Sequence, residues 1–220
     1  MERDFRVYKK HEIGDKMNIT KVIGVIYEQN TYILEKNNDC IIIDAGAKPE
    51  DIRKLCEGKN VLAVFLTHGH YDHSIFYEEY TKLFDCKIYA NKNVVKTMTD
   101  AVALYSENGK VFNDFSNFVF LDDYEKIKIG PFCVECFYCP GHSICSQCFL
   151  IDKNLFAGDV LFSQGIGRTD LKFGSKEDMF NSLCKLEALD YENVFSGHGE
   201  ESNKNEQRKN IALFKRFLSR

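Results

Sequence analysis

The segment Val61-Leu-Ala-Val-Phe-Leu66-Thr67-His68-Gly69-His70-Tyr71-Asp72-His73 carries an apolar run directly into three histidines and an aspartate. A short apolar run with no helical period reads as a buried strand, and the glycine and polar residues behind it end that strand in a loop. His68 and His70 are two apart, so both imidazoles reach one ion from an extended turn, while Asp72 and His73 open the next helix and face a second.

Outward from this segment, strand and helix alternate. On the amino-terminal side, β-rich runs cover Ile19 to Tyr27 and Thr31 to Leu34, Cys40 to Asp44 reads as a buried strand, and Pro49 opens a helix to about Cys56. On the carboxy-terminal side, the pattern predicts a helix from Asp72 to Phe84, a strand near Lys87 to Tyr89 and a helix from Asn91 to Ser106. The second half repeats the order, with strands at Lys126 to Ile129, Phe132 to Tyr138, Gln147 to Ile151 and Leu155 to Phe156. A helix from Ser175 to Leu189, a strand at Val194-Phe195 and a helix from Asn203 to Leu218 follow. Strands first and helices after, in each half, predict an α/β fold of two sheets packed face to face with helices outside. The 220 residues suit one domain spanning 1–220, with residues 1 to 16 as a candidate amino-terminal appendage.

Composition narrows the partners. A net charge of -4, with 29 basic and 33 acidic residues intermixed, offers no footprint for a nucleic-acid backbone. Charges at Met1 to Lys10 stand where a secretory signal needs an apolar stretch, and no later run is long enough to span a bilayer. The expectation is a cytoplasmic protein acting on a small molecule, with no membrane and no nucleic-acid partner. The sequence carries no signal for an oligomeric state. Nine cysteines, an odd number in a chain of this size, read as reduced thiols.

Three further ligand-type residues sit at strand ends, each behind a glycine: Cys-Pro-Gly-His142, Phe-Ala-Gly-Asp159 and Phe-Ser-Gly-His198. Glycine lets the backbone turn sharply there and lets an ion approach. Seven ligands suit two ions, with His68, His70 and His142 on one, Asp72, His73 and His198 on the other, and Asp159 bridging. Two divalent ions about 3.5 to 4 Å apart lower the pKa of bound water from about 15.7 toward about 7, which makes a bridging hydroxide the expected nucleophile. Asp72 is expected to relay a proton as well as to ligate. Imidazoles and carboxylates suit zinc, and also iron or manganese.

These residues resemble the metallo-β-lactamase superfamily, whose αββα sandwich carries His-x-His-x-Asp-His and a later His, Asp and His. The resemblance runs from Ile19 to Asn210. Within the superfamily the chain is similar to small glyoxalase II-like hydrolases through Asn30-Thr-Tyr32, Ile43-Asp-Ala-Gly46, Gly158-Asp-Val-Leu-Phe162 and Gly165-Ile-Gly-Arg-Thr-Asp170. That resemblance implies hydrolysis of a thioester such as a hydroxyacylglutathione, Arg168 as a contact for an anionic substrate, and Asp44 as a carboxylate orienting the metal-binding loop. Arg168 alternatively pairs with Asp170 at the surface, and Asp44 alternatively is a turn residue. Glyoxalase II proper holds glutathione with a separate carboxy-terminal helical domain, and the roughly twenty residues after His198 are expected to form one basic helix instead. The superfamily's persulfide dioxygenases, with a single iron, share a segment resembling residues 167 to 170 and are the alternative. Hydrolysis of another ester, a lactone or a β-lactam is a further option, and a non-enzymatic binding module predicts loss of ligands that are all present.

The cysteines of Cys133-Val-Glu-Cys136-Phe-Tyr-Cys139-Pro-Gly-His-Ser-Ile-Cys145-Ser-Gln-Cys148 show C-x-x-C spacing, yet Cys133 and Cys136 fall on opposite faces of a strand and read as packing residues. Tyr71, between His70 and Asp72, either borders a substrate pocket or packs in the core.

Overall fold

The computed structural model describes residues 7–13, 17–106 and 108–219. The first sheet is built in sequence order from β1 (Val7–Ile13), β2 (Met17–Ile23), β3 (Asn30–Lys36), β4 (Asp39–Ile43), β5 (Asn60–Phe65), β6 (Lys87–Asn91) and β7 (Phe118–Leu121). β1 to β4 pair antiparallel and β4 to β7 parallel. The parallel half needs crossovers, which α1 (Pro49–Leu55), the single turn α2 (Tyr71–Ser74), α3 (Tyr77–Phe84) and α4 (Val94–Met98) supply. The second sheet holds β8 (Lys126–Ile129), β9 (Phe132–Tyr138), β10 (Gln147–Ile151) and β11 (Asn154–Gly158). Beyond a small ribbon of β12 (Leu161–Phe162) and β13 (Gly165–Ile166), β14 (Asn193–Ser196) and β15 (Ser202–Asn203) complete it, with α5 (Lys176–Ala188) and α6 (Lys204–Leu218). No helix among the described residues is long and apolar enough to cross a membrane.

The period of two along β4 explains the layering. Ile41 and Ile43 join a cluster between the sheets with Phe65, Phe149, Phe156 and Phe195. Cys40 and Ile42 point the other way, into a cluster with Ile52 of α1 and Tyr80 of α3. A third cluster puts Met179 and Leu183 of α5 and Ile211 of α6 against Phe137, Leu155 and Ala157 of the second sheet. Apolar on both faces, each sheet is covered twice, which is the αββα sandwich.

Four local expectations differ from the structure. The strand expected through Tyr27 ends at Ile23. The helix expected from Asp72 to Phe84 is broken after Ser74, because the backbone there serves the loop behind β4: Ala45 N donates to His73 O (2.8 Å) and Phe76 N to Ala45 O (3.0 Å). The helix expected from Asn91 to Ser106 stops at Met98, where the Asp100 carboxylate accepts from Val102 N and Ala103 N and holds a turn instead. β7 lies in a stretch for which no strand was expected. Of the appendage expected at residues 1 to 16, Val7–Ile13 forms the edge strand β1, and the remainder lies outside the described residues.

Phe149 stands edge-on to Phe65 at 5.1 Å between the sheets and is fully buried. Phe149→Ala should lower the stability of the fold by about 3 to 5 kcal/mol. Urea unfolding followed by circular dichroism measures this, and an unshifted midpoint would place the inter-sheet core elsewhere.

Candidate metal centre

All seven expected ligands converge at one end of the sandwich. His68, His70, Asp72 and His73 follow β5, His142 follows β9, Asp159 follows β11, and His198 follows β14. Their inward atoms form three groups within 4.8 Å: His68, His70 and His142; Asp72, His73 and His198; and His68, His73 and Asp159. Six of the seven are buried and His198 is half-buried.

The hydrogen bonds behind the rings decide which nitrogen faces inward. His142 Nδ1 lies 2.9 Å from Arg168 O, and His198 Nδ1 lies 2.9 Å from Tyr27 O. His73 Nδ1 lies 2.7 Å from Asp44 Oδ2. The Thr67 hydroxyl donates to Asp44, so its oxygen is left to accept from His68 Nδ1 at 3.1 Å. A carbonyl, a carboxylate or an acceptor hydroxyl requires N–H on each Nδ1, so all four rings can turn an unprotonated Nε2 to the centre.

The inward atoms, all of them groups that ligate a cation, crowd together. His70 Nδ1 lies 3.0 Å from His68 Nε2 and 2.9 Å from His142 Nε2. His73 Nε2 is 3.3 Å from His198 Nε2, and Asp72 Oδ2 is 3.1 Å from His198 Nε2. Asp159 reaches both groups, with Oδ1 3.3 Å from His73 Nε2 and Oδ2 3.5 Å from His142 Nε2 and from His198 Nε2. Its Oδ1 is buried without a hydrogen-bond donor. Buried acceptors left unmatched cost about 1 to 3 kcal/mol each, and a cation between them removes that cost. The residues present fit divalent metal.

The two halves of the cup differ in charge. Burial, then His142, pushes His70 down to about 3, and burial also lowers His68 and His142. These three rings stay neutral. Burial opposes charge on His73 and on Asp159 alike. Asp72, Asp159 and Asp44 nonetheless hold His73 well above its ordinary range, and His73, His142 and His198 hold Asp159 well below its own. Without metal, His73 keeps a proton that a cation displaces.

Asp44 is the hub beneath the cup. It has a left-handed backbone (φ 64), is 1% exposed, accepts from Thr67 N at 2.7 Å, and carries Thr67 Oγ1 and His73 Nδ1 on the same carboxylate. Strain held in a buried acidic residue beside the cup marks a positioning role. Gly197 shows why a glycine precedes His198: a Cβ there would meet Asp159 Oδ1 at 2.1 Å and His73 Cε1 at 2.7 Å. The glycine makes room for two neighbouring ligands.

Sequence reasoning missed the clamp on the His198 turn. Lys21, buried on β2, donates to Gly199 O (3.1 Å) and pairs with Glu201 (3.0 Å). Asn30 donates to Ser196 O (3.0 Å) and Gly199 O (2.9 Å), and the Tyr32 hydroxyl donates to Ser196 O (2.7 Å). Asn30 and Tyr32 belong to a quoted motif, but no pattern on β2 singled out Lys21. The structure pairs Arg168 bidentately with Asp170, both bonds 2.8 Å. Tyr71 stacks near Phe112 (centroids 6.1 Å apart) and lines a cleft beside the cup. Cys133 is exposed and Cys136 buried, on opposite faces of β9, while Cys145 accepts from Gly69 N at 3.2 Å and packs beneath the histidine loop.

Asp44→Asn should weaken metal binding by about 10- to 100-fold, because an amide turns an N–H toward one of its three donors. Competition with a chromophoric chelator reads this, and unchanged affinity would remove Asp44 from the role.

The family model described as the metallo-beta-lactamase superfamily matches residues 26–198. The probable metallo-hydrolase YqgX of Bacillus subtilis (strain 168) is 34% identical over 189 residues, covering 80% of this chain and 87% of that protein. The hydroxyacylglutathione hydrolase of Wigglesworthia glossinidia brevipalpis is 31% identical over 177 residues, covering 79% of this chain and 61% of that protein. The crystal structure of the BLEG-1 B3 metallo-beta-lactamase superposes with a TM-score of 0.80 at 28% identity, covering 89% of this chain and 99% of that one. With matches that take in the whole stretch from the strand before His68 to His198, this chain belongs to the metallo-beta-lactamase superfamily.

Proposed function

We propose that the chain is a metal-dependent hydrolase of a small thioester. The observation that carries the metal is the convergence of seven imidazole and carboxylate groups in one cup, in which Asp159 reaches both groups. His68, His70 and His142 would hold one divalent ion, Asp72, His73 and His198 a second, with the Asp159 carboxylate shared. Zinc is the ion assigned, and the nitrogen and oxygen donors also accept iron or manganese. Bound there, such ions lower the pKa of water to about 7 and polarise a carbonyl oxygen.

The protein's own groups supply the rest. Burial works against ionisation of Asp72, but His73 and His198 keep its pKa below the ordinary value. As a carboxylate at the edge of the cup, it takes up a proton released there and passes it to the departing thiolate. Outward Nδ1–H bonds to Arg168 O and Tyr27 O hold His142 and His198 in place during turnover.

A thioester, rather than another acyl compound, is supported by the 31% identical hydroxyacylglutathione hydrolase and by the Gly165–Asp170 segment. That segment runs against the cup: a Cβ on Gly167 would meet Asp159 O at 1.9 Å and the His142 ring at 3.0 Å. The experiment is metal content per chain on anaerobically purified protein, with hydrolysis assayed on S-lactoylglutathione and on S-acetyl-N-acetylcysteamine. Near two ions per chain with turnover of a thioester is expected. One iron, no hydrolysis and oxygen uptake with glutathione persulfide would replace the proposal with the dioxygenase. Asp159→Ala should lose at least one ion per chain by elemental analysis, and full occupancy in that variant would overturn the shared carboxylate.

A further inference from the structure

Beside the cup lies a cleft of about 290 Å³ lined by Val25, Ile26, Tyr27, Tyr71, Tyr105 and Asn108. Three of its walls are large apolar side chains left open to solvent, Val25 at 46%, Tyr27 at 52% and Tyr105 at 45% exposure. Exposed apolar groups gathered round a cleft mark a binding surface. Tyr27 and Tyr105 also hold left-handed backbones, with φ 51 and φ 61, which non-glycine residues adopt at a cost.

Its three tyrosines adjoin the candidate ligands. The Tyr27 carbonyl fixes His198 Nδ1 at 2.9 Å. Tyr71 follows His70 in the chain, and its N–H donates to Leu104 O at 2.8 Å, which places the next residue, Tyr105, over the site. The Tyr105 ring stands 6.4 Å from His70 and 6.3 Å from Tyr27, so it borders both a candidate ligand and the facing wall of the cleft.

The charges beside this cleft are already matched. Arg168 gives Nε and Nη2 to Asp170. Lys172 pairs with Asp100 at the start of the turn that carries Tyr105, and Lys96 lies 4.5 Å over the Phe173 ring. These cations brace the two loops against each other. To grip a substrate carboxylate, Arg168 would exchange one bidentate partner for another, with little net gain.

We propose that this cleft takes an uncharged apolar or aromatic acyl group, with Tyr105 as the specificity-determining residue, so that the preferred substrate is an apolar acyl thioester rather than an anionic glutathione conjugate. The inference rests on the thioester reading above. The cleft lies at the lower end of the about 300 to 1,000 Å³ that ligand pockets span, which suits one ring or a short branched chain.

The test compares wild type, Tyr105→Ala and Tyr105→Phe, all metal-loaded. Hydrolysis is measured as kcat/KM on the S-benzoyl and S-acetyl esters of N-acetylcysteamine and on S-lactoylglutathione. Binding of S-benzyl-N-acetylcysteamine, a thioether that cannot be hydrolysed, is measured by calorimetry. Wild type and Tyr105→Phe should favour benzoyl over acetyl at least tenfold and bind the thioether. Tyr105→Ala, with metal content retained, should lose that preference and weaken thioether binding at least tenfold. Thioester turnover with no benzoyl preference, or with preference and thioether binding the same in Tyr105→Ala, would overturn the cleft and leave the hydrolase. Thioether binding that depends on Tyr105, in a protein that hydrolyses no thioester, would uphold the cleft and overturn the hydrolase.

Discussion

The constraint on which the structure depends is the outward hydrogen bond behind each inward imidazole. Four Nδ1–H groups are spent on Thr67 Oγ1, Asp44 Oδ2, Arg168 O and Tyr27 O. Those bonds set which nitrogen each of these four rings turns inward and hold the rings against one another. Burying so many acceptors in one cup is unfavourable for the fold alone, and the divalent cation that would offset it is the function of the arrangement.

The fold serves this constraint through rigid strand ends. β5, β9, β11 and β14 each deliver a ligand segment to the same edge of the sandwich, and the inter-sheet packing of Tyr32, Phe156 and Phe195 fixes the distance between them. Tyr32 acts twice, edge-on to both phenylalanines and bonded through its hydroxyl to Ser196 O, two residues before His198. Core packing and ligand placement are therefore one structure, and Lys21 and Asn30 extend it by tying the 196–201 turn to the opposite sheet.

Asp44 joins the sheet to the cup from below, and the tyrosines close it from above. Below, strain and burial concentrate on one carboxylate that serves Thr67 and His73 together. Above, Tyr27 and Tyr105 place apolar surface within reach of the site while their backbones sit in left-handed turns. The cup is polar and buried, and the cleft beside it is apolar and open.

The sequence by itself picked out the seven candidate ligands and determined the layers. The spacing of His68, His70, Asp72 and His73 is a local property of one strand end and one turn, and the Gly-ligand pairs at 142, 159 and 198 repeat the same local context. The continuous apolar run of β4 likewise showed a strand buried on both faces. Only the tertiary structure decided what meets at long range. The helix expected to reach Ser106 ends early because the Asp100 carboxylate takes the amides of Val102 and Ala103, and the helix after Asp72 breaks because its backbone bonds to Ala45. Arg168 had two open readings, and only the structure shows its bidentate pairing with Asp170. Lys21, Tyr27 and Tyr105 carry no signal in sequence, since their roles arise from the fold bringing β2, the loop behind it and the turn after α4 to one end of the sandwich.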